Sequence, residues 1–252
     1  MRGLQGKTVV VAGGAGGIGT ATCVRLGEEG ANVVVGDLDG SAAKSVADQI
    51  ADSGGTATPV TVDISDEGSV GALVKTAVTT YGGIHGFHAN AADLSIIGQD
   101  SDALDLDLAI FDRTIAVNLR GHLLCVRAAL PHLLETSGGF VFTASAAAFI
   151  GEPERPSYAI AKAGLTALTR HVASRWGKQG IRANAIAPGL VLTENVYDTI
   201  GTDFRDAALR GTRSRRLGYP TDVAGMVAFL HSDDGEWING QVISVDGGAT
   251  LR

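Results

Sequence analysis

Five of the seven residues from Gly13 to Gly19 are glycine (Gly13-Gly14-Ala15-Gly16-Gly17-Ile18-Gly19), and no other feature restricts this chain so strongly. The run follows an unbroken apolar stretch, Thr8–Ala12, and leads into an amphipathic one, Ile18–Glu29. A strand that turns through glycines into a helix brings backbone N–H groups and a positive helix end close to anything seated on the turn. By itself such a run is only a tight turn of an α/β protein.

The rest of the chain repeats that alternation. Strands are predicted at Thr8–Ala12, Asn32–Asp37, Ala57–Val62, Ile84–Asn90, Phe140–Ser145, Ile181–Ala187 and Gln241–Val245. Helices are predicted at Ile18–Glu29, Ala42–Asp52, Glu67–Tyr81, Leu108–Leu134, Ser157–Trp176 and Asp222–His231. Strands this continuously apolar belong in a parallel sheet covered on both faces. The expected fold is therefore α/β, a Rossmann-type doubly wound sheet of about seven strands in one domain over residues 1–252. Two stretches break the rhythm. Ala91–Asp112 has six Asp and no Lys or Arg, while Leu190–Leu217 holds Arg205, Arg210, Arg213, Arg215 and Arg216. Both follow strand ends, where such sheets bind ligands, and the second is expected to be a substrate lid at about 190–217. Solvated surface, or salt bridges between subunits for the arginines, is the plainer reading of each.

Charge and composition remove several function classes. A net charge of −7 gives no electrostatic reason to bind nucleic acid or an anionic membrane. No apolar run approaches the ~18 residues needed to span a bilayer. Cys23 and Cys125 fall in predicted helices and read as small buried hydrophobes, so a reducing cytoplasm is the expected location, with no signal peptide ahead of the first strand. The six histidines, His85 and His88 among them, show no ligand spacing, and no metal is expected. Ser145 lacks the Gly-x-Ser-x-Gly elbow of serine hydrolases.

Val33-Val34-Val35-Gly36-Asp37 ends with a carboxylate 18 residues beyond Gly19. At that place it can accept hydrogen bonds from the ribose hydroxyls of an adenine dinucleotide and would repel a 2′-phosphate. Two unit charges about 4 Å apart at an effective dielectric of about 20 interact by about 4 kcal/mol, enough to select NAD over NADP. In Ser157-Tyr158-Ala159-Ile160-Ala161-Lys162, Tyr158 and Lys162 share a helix face. An ammonium and a positive nicotinamide there would favour the phenolate, making Tyr158 a usable proton acceptor. Alone, the pair is also what a surface helix carries.

Taken together these residues resemble the short-chain dehydrogenase/reductase family, nearest its NAD-dependent alcohol and hydroxysteroid dehydrogenases, over essentially the whole chain. Gly13, Gly17 and Gly19 fit its Gly-x-x-x-Gly-x-Gly. Asp63-Ile64 looks like its adenine-contacting pair, and Ala89-Asn90-Ala91-Ala92 like its Asn-Asn-Ala-Gly segment. Asn118 matches a catalytic asparagine, and Ser145 stands 13 residues before Tyr158, the family's spacing. Pro188, Gly189 and Thr193 match the nicotinamide-side segment, while Asn239-Gly240-Gln241 and Asp246-Gly247-Gly248 match the last strand.

The resemblance implies an oxidoreductase moving a hydride between NAD and a secondary alcohol or its ketone. Tyr158 would exchange the proton, Ser145 hold the substrate oxygen, Lys162 hold the nicotinamide ribose and lower the Tyr158 pKa, and Asn118 keep a water in the proton relay. Gly13, Gly16, Gly17, Ile18, Gly19, Asp37, Leu38, Asp63, Ile64, Asn90, Tyr158, Lys162, Pro188, Gly189, Val191 and Thr193 would bind NAD. In NADP-using relatives a basic residue often stands at position 16 or 38, and here Gly16 and Leu38 are not basic. Phe149, Val196 and Tyr197, with Ser145 and Tyr158, would line a pocket for a mostly apolar or cyclic substrate.

Ala12, Ala89 and Ala92 depart from the pattern, and the missing Thr hydroxyl at Ala12 removes a tie between the first and fourth strands worth about 0.5–1.5 kcal/mol. A homotetramer is expected. The helix after Asn118 (Leu119, Leu123, Leu124, Val126, Leu130) and the helix after Tyr158 (Ile160, Leu165, Leu168, Val172) carry more apolar residues than one sheet-facing stripe needs. A dinucleotide-sensing protein without catalysis, and an epimerase, dehydratase or dehalogenase, are the alternatives on the same scaffold.

Overall fold

A computed structural model describes residues 1–251, with the side chains of Asn195 and Asp198 excepted; of the expected 1–252 domain, Arg252 lies outside the described residues. Seven parallel strands form one sheet in the order β3-β2-β1-β4-β5-β6-β7: β1 Thr8–Ala12, β2 Asn32–Asp37, β3 Thr56–Thr61, β4 Gly86–Ala89, β5 Gly139–Thr143, β6 Arg182–Pro188 and β7 Val242–Val245. The order reverses between β1 and β4, so their carboxyl ends diverge and leave a crevice. The helices are α1 Gly17–Glu28, α2 Gly40–Asp52, α3 Glu67–Tyr81, α4 Leu108–Ile115, α5 His122–Thr136, α6 Pro156–Trp176, α7 Glu194–Thr199, α8 Thr202–Gly211 and α9 Pro220–His231.

Strand alternation sorts the core into two layers. Val10, Ala12, Phe87, Ala89, Phe140 and Phe142 face α3, α5 and α6, where Phe140 and Phe142 stack with ring centroids 5.6 Å apart. Val9, Val11, Val33 and Val35 face α1 and α2, and Val141 and Ile186 face α9. Both faces are sealed, as the apolar strands require.

One expected helix is two. Leu108–Leu134 is interrupted by a π-turn, Ala116–Gly121, that carries Asn118. Such a widened turn inserts a residue and redirects the helix, a device common at functional sites. It is pinned here by close packing, since a Cβ on Gly121 would lie 2.8 Å from Ile64 Cδ1.

The arginine-rich segment leaves the sheet after β6 and returns before α9. Its two ends are tied by a bridge between Val191 and Gly218, with Leu192 N donating to Gly218 O (2.8 Å) and Gly218 N to Leu190 O (3.1 Å). Of the helices expected to show an apolar surplus, Leu124, Val126, Leu130, Leu165 and Val172 are buried in the chain's own core, whereas Leu123 and Ile160 are exposed. The surplus on α5 and α6 is thus narrower than the sequence suggests. No helix among the described residues is long and apolar enough to cross a membrane.

Candidate active site

The glycine loop is shaped by what glycine lacks. Gly13 has φ +82°, and a Cβ there would lie 2.5 Å from Ala91 Cα; one on Gly19 would lie 1.9 Å from Gly13 O. A Cβ on Gly17 would sit 2.4 Å from Thr193 Cγ2, so this loop and the start of the arginine-rich segment touch. Gly16, by contrast, faces open space, and as the residue preceding α1 it leaves the first amides of that helix without a side-chain cap. Backbone approach and uncapped amides at one point suit a phosphate. A cleft of about 640 Å³ runs past the loop, lined by Ala15, Gly16, Gly17, Thr20, Thr193 and Glu194 among others; Ser145 and Tyr158 are not part of its lining.

Asp37 ends β2 with Oδ2 accepting from Ala15 N (2.9 Å) and Oδ1 from Asp39 N (3.2 Å), which turns its carboxylate to the loop. Leu38 beside it is 67% exposed. Asp63 Oδ1 accepts from Ser65 Oγ (2.7 Å) and Ser65 N (2.8 Å), and these bonds hold its carboxyl below the usual carboxylate range. Ile64 is buried next to it, and Ile18 packs on the α9 core. These groups, with the open Gly16, fit an adenine dinucleotide laid across the ends of β1 to β3.

The missing threonine at Ala12 is compensated. Asn90 Nδ2 donates to Gly13 O (2.8 Å), Ala91 N donates to Ala12 O (2.7 Å), and Asn90 Oδ1 accepts from Thr143 Oγ1 (2.9 Å). Because the Thr143 proton goes to Asn90, the buried His88 must donate through Nε2 to Thr143 Oγ1 (2.9 Å). Burial pushes His88 down to about 3, which keeps that ring neutral. The loop is therefore tied to β4 and β5 by a polar chain, and the local slackness expected from Ala12 is not found. The sequence reading says of His88 only that it lacks metal-ligand spacing; its donor role depends on Thr143, 55 residues away, and no local pattern reports it.

Across the crevice, β5 ends in Ser145, and Pro156 starts α6, which carries Tyr158 and Lys162. Ser145 stands beside Tyr158, and its Oγ accepts from Ala147 N (3.2 Å). Lys162 is 1% exposed; its Nζ donates to Thr143 O (2.8 Å) and lies 5.7 Å from the centre of the Tyr158 ring. Desolvation pushes Lys162 down to about 8. Tyr158 is raised above the usual tyrosine value, burial outweighing the nearby Ser145 hydroxyl and the charge of Arg155. Burial thus sets the direction of the Tyr158 shift, opposite to the depression expected from Lys162. The physical reason is that Tyr158 has lost water while the ammonium is drawn to Thr143 O.

Asn118 is fully buried, its Oδ1 accepting from Asp93 N (2.7 Å) and its Nδ2 donating to Asp93 O (3.2 Å). The acidic segment is neither loose nor a cation cage. Asp93, Asp100, Asp102 and Asp107 each accept backbone N–H groups, and no cluster suited to a metal occurs among the described residues.

Pro188 and Gly189 lie at the end of β6 against Val245 and Asp246; Val191 is buried where the arginine-rich segment is tied, and Thr193 caps α7 by accepting through Oγ1 from Val196 N (3.3 Å). Phe149 is half-buried after the turn that follows Ser145. Val196 is half-buried on α7, but Tyr197 is 56% exposed with the Arg205 guanidinium 4.4 Å from its ring centre, so the arginine-rich segment itself holds that ring. Arg216 pairs with Asp222 at 2.7 Å, within one chain rather than between subunits.

Comparison with known proteins agrees with this arrangement. A family profile described as enoyl-(acyl carrier protein) reductase matches residues 13–250. A probable short-chain type dehydrogenase/reductase of Bradyrhizobium diazoefficiens is 40% identical over 97% of this chain and 87% of its own length. The cis-4-hydroxycyclohexanecarboxylate dehydrogenase of Sinomonas cyclohexanicum is 38% identical over 97% of this chain and 96% of its own. Among solved structures, a 7α-hydroxysteroid dehydrogenase complexed with NADH and 7-oxo glycochenodeoxycholic acid superposes with a TM-score of 0.90 at 31% identity, covering 100% of this chain and 97% of that one.

Proposed function

Because the chain belongs to the short-chain dehydrogenase/reductase family, we propose that it is an NAD-dependent oxidoreductase acting on a secondary alcohol or its ketone, with Tyr158 as the acid/base. The observation that carries this reading is the Ser145–Tyr158–Lys162 cluster standing across the crevice from the glycine loop. NAD, when bound, supplies the hydride acceptor. Everything else falls to the protein. Gly13, Gly16, Gly17, Ile18 and Gly19 cradle the phosphates. Asp37 and Leu38 read the adenosine ribose, Asp63 and Ile64 the adenine. Asn90, Pro188, Gly189, Val191 and Thr193 border the nicotinamide half.

Ser145 donates to the substrate oxygen and opposes the charge that develops there. Tyr158 takes the hydroxyl proton during oxidation and returns it during reduction. Burial favours the protonated phenol, and a positive charge brought close to the ring, such as a reoriented Lys162 ammonium, would favour the phenolate. Lys162, driven toward about 8 by burial, holds the nicotinamide ribose and passes the proton onward. Asn118, fixed by Asp93, keeps a water in the relay to bulk solvent.

The substrate is a mostly apolar or cyclic alcohol, resting on Phe149, Val196 and Tyr197 under a lid at about 190–217. The cyclic substrates in the names of the Sinomonas enzyme and of the steroid dehydrogenase support that class. We further read the protein as a homotetramer, on the exposed Leu123 of α5 and Ile160 of α6, and as cytoplasmic, on two buried unpaired thiols, Cys23 and Cys125.

The test is NAD reduction with a panel of cyclic secondary alcohols. Wild type should turn over, while Tyr158→Phe should lose about a thousandfold or more in kcat and bind NAD as before. Substantial turnover by the purified variant would overturn the acid/base assignment. No turnover by wild type across the panel would favour a sensing role.

A further inference from the structure

The acidic segment after β4 touches both halves of the catalytic machinery. At its start, Asp93 is held by both amide atoms of Asn118, and its Oδ2 accepts from Arg113 Nε at 2.9 Å. Further on, Asp100 is only 8% exposed. Its Oδ1 accepts from Ser157 Oγ (2.8 Å) and, more weakly, from Ser157 N (3.4 Å), and its Oδ2 accepts from Tyr158 N (3.0 Å).

These bonds answer a question that α6 poses. A helix start leaves its first N–H groups unpaired, and the residue before the helix normally supplies the acceptor. Here that residue is Arg155, whose side chain makes no capping bond, and Pro156 has no N–H to give. The acceptor comes instead from a carboxylate 57 residues earlier in the chain. A buried carboxylate is costly unless its oxygens are satisfied. Both are, and the positive end of α6 favours the charge further. A Ser or Asp at position 155 would cap the helix without burying anything. What the distant cap adds is a fixed distance between the segment that grips Asn118 and the backbone of Tyr158.

We propose that Asp100 is a positioning residue for the reaction: by binding the Tyr158 N–H and the Ser157 hydroxyl, it sets where the Tyr158 phenol stands relative to Ser145 and couples that placement to the Asn118 element. The proposal rests on the reading of Tyr158 as the acid/base. Misplacing a reacting group by about 1 Å can cost about a hundredfold in rate without altering remote binding. Asp100 stands away from the glycine loop and Asp37, so its loss should be felt in turnover and not in NAD affinity.

The experiment uses the full-length protein and three variants, Asp100→Ala, Asp100→Asn and Ser157→Ala. Each is assayed with NAD and whichever of cis-4-hydroxycyclohexanecarboxylate and glycochenodeoxycholate wild type oxidises faster. NAD binding by fluorescence quenching and thermal unfolding are measured alongside. Asp100→Ala should lower kcat about thirtyfold while KM and Kd for NAD stay within about twofold. Asp100→Asn keeps one acceptor oxygen and Ser157→Ala removes one bond, so both should fall between Asp100→Ala and wild type. A folded Asp100→Ala with kcat within about twofold of wild type overturns the proposal. So does a loss of kcat matched by equal losses of NAD affinity and thermal stability, which would make Asp100 a merely structural cap. If Asp100→Ala does not fold, Asp100→Asn is judged by the same criteria, and failure of both to fold also counts against positioning. Tyr158→Phe with wild-type turnover, or an inactive wild type, would instead sink the functional reading and take this proposal with it.

Discussion

The glycine loop and the Ser145–Tyr158–Lys162 cluster stand at the same edge of one sheet, yet they are built by opposite means. The loop is made by leaving atoms out: at Gly13, Gly17 and Gly19 a single added carbon would meet a neighbour at 2.5 Å or less. The partners are backbone at Gly13 and Gly19 and the Thr193 side chain at Gly17, and little charge is buried. The cluster is made by bringing charge and polar groups in and withholding water, which moves Lys162 down to about 8 and Tyr158 up. The loop offers shape, which any dinucleotide phosphate can use. The cluster offers two groups whose proton affinities burial has driven apart, Lys162 down and Tyr158 up, and such a split is how neighbouring groups take on distinct acid and base roles.

The contrast can be broken in three places, taken in order of expected effect. Asp37→Ala should reduce the preference for NAD over NADP by more than about tenfold, and Leu38→Arg added to it should reverse the preference, since an interaction of about 4 kcal/mol is being removed and then replaced. Comparing kcat/KM for both cofactors decides it; a wild type that prefers NADP would refute the assignment of Asp37.

Lys162→Met should separate stability from chemistry. The lysine pKa falls from 10.5 to about 8 on folding, so the fold disfavours the charged form by about 3 kcal/mol. Below about pH 8 both states carry the proton and the penalty is constant. Between 8 and 10.5 the unfolded chain holds the extra proton, so stability rises with pH. The variant should therefore gain about 2 kcal/mol at neutral pH in the absence of NAD, after loss of one hydrogen bond, and should lose both this pH dependence and turnover. Chemical denaturation from pH 7 to 10 reads both, and a destabilised variant would show that the buried ammonium is a net support of the fold.

Thr143→Val is the mildest. It cuts the chain from His88 to Asn90 while keeping the carbonyl that Lys162 uses. Stability should fall by about 1–3 kcal/mol, and KM for NAD should rise severalfold with kcat nearly unchanged. A selective fall in kcat would mean that the loop and the cluster are one unit rather than two.

The same contrast explains what could be read from the sequence. Strand and helix positions, the sheet and the glycine loop were legible because each depends on residues close in sequence: apolar runs, missing side chains, a carboxylate at a strand end. Tyr158 and Lys162 were legible because a helix places residues four apart side by side. Their proton affinities were not, because burial is set by the whole fold. Asp100 and Thr143 were invisible as working residues for a related reason. Each acts on partners 53 to 58 residues away, and neither sits in a pattern that names its partner. The π-turn at Ala116–Gly121 is also silent in a hydrophobic repeat that continues through it.

The tied neck of the arginine-rich segment has a consequence for how this scaffold changes over time. With Val191 and Gly218 bridged, the ends of the intervening segment are fixed whatever lies between them. Lengthening such a closed excursion is inexpensive, about 0.6 kcal/mol for each doubling of its length, and the strands beneath need not adjust. Residues 192–217 can then be exchanged as a cassette. A graft cut at the neck should carry a donor's substrate range onto this chain, and a graft cut inside α7 or α8 should not.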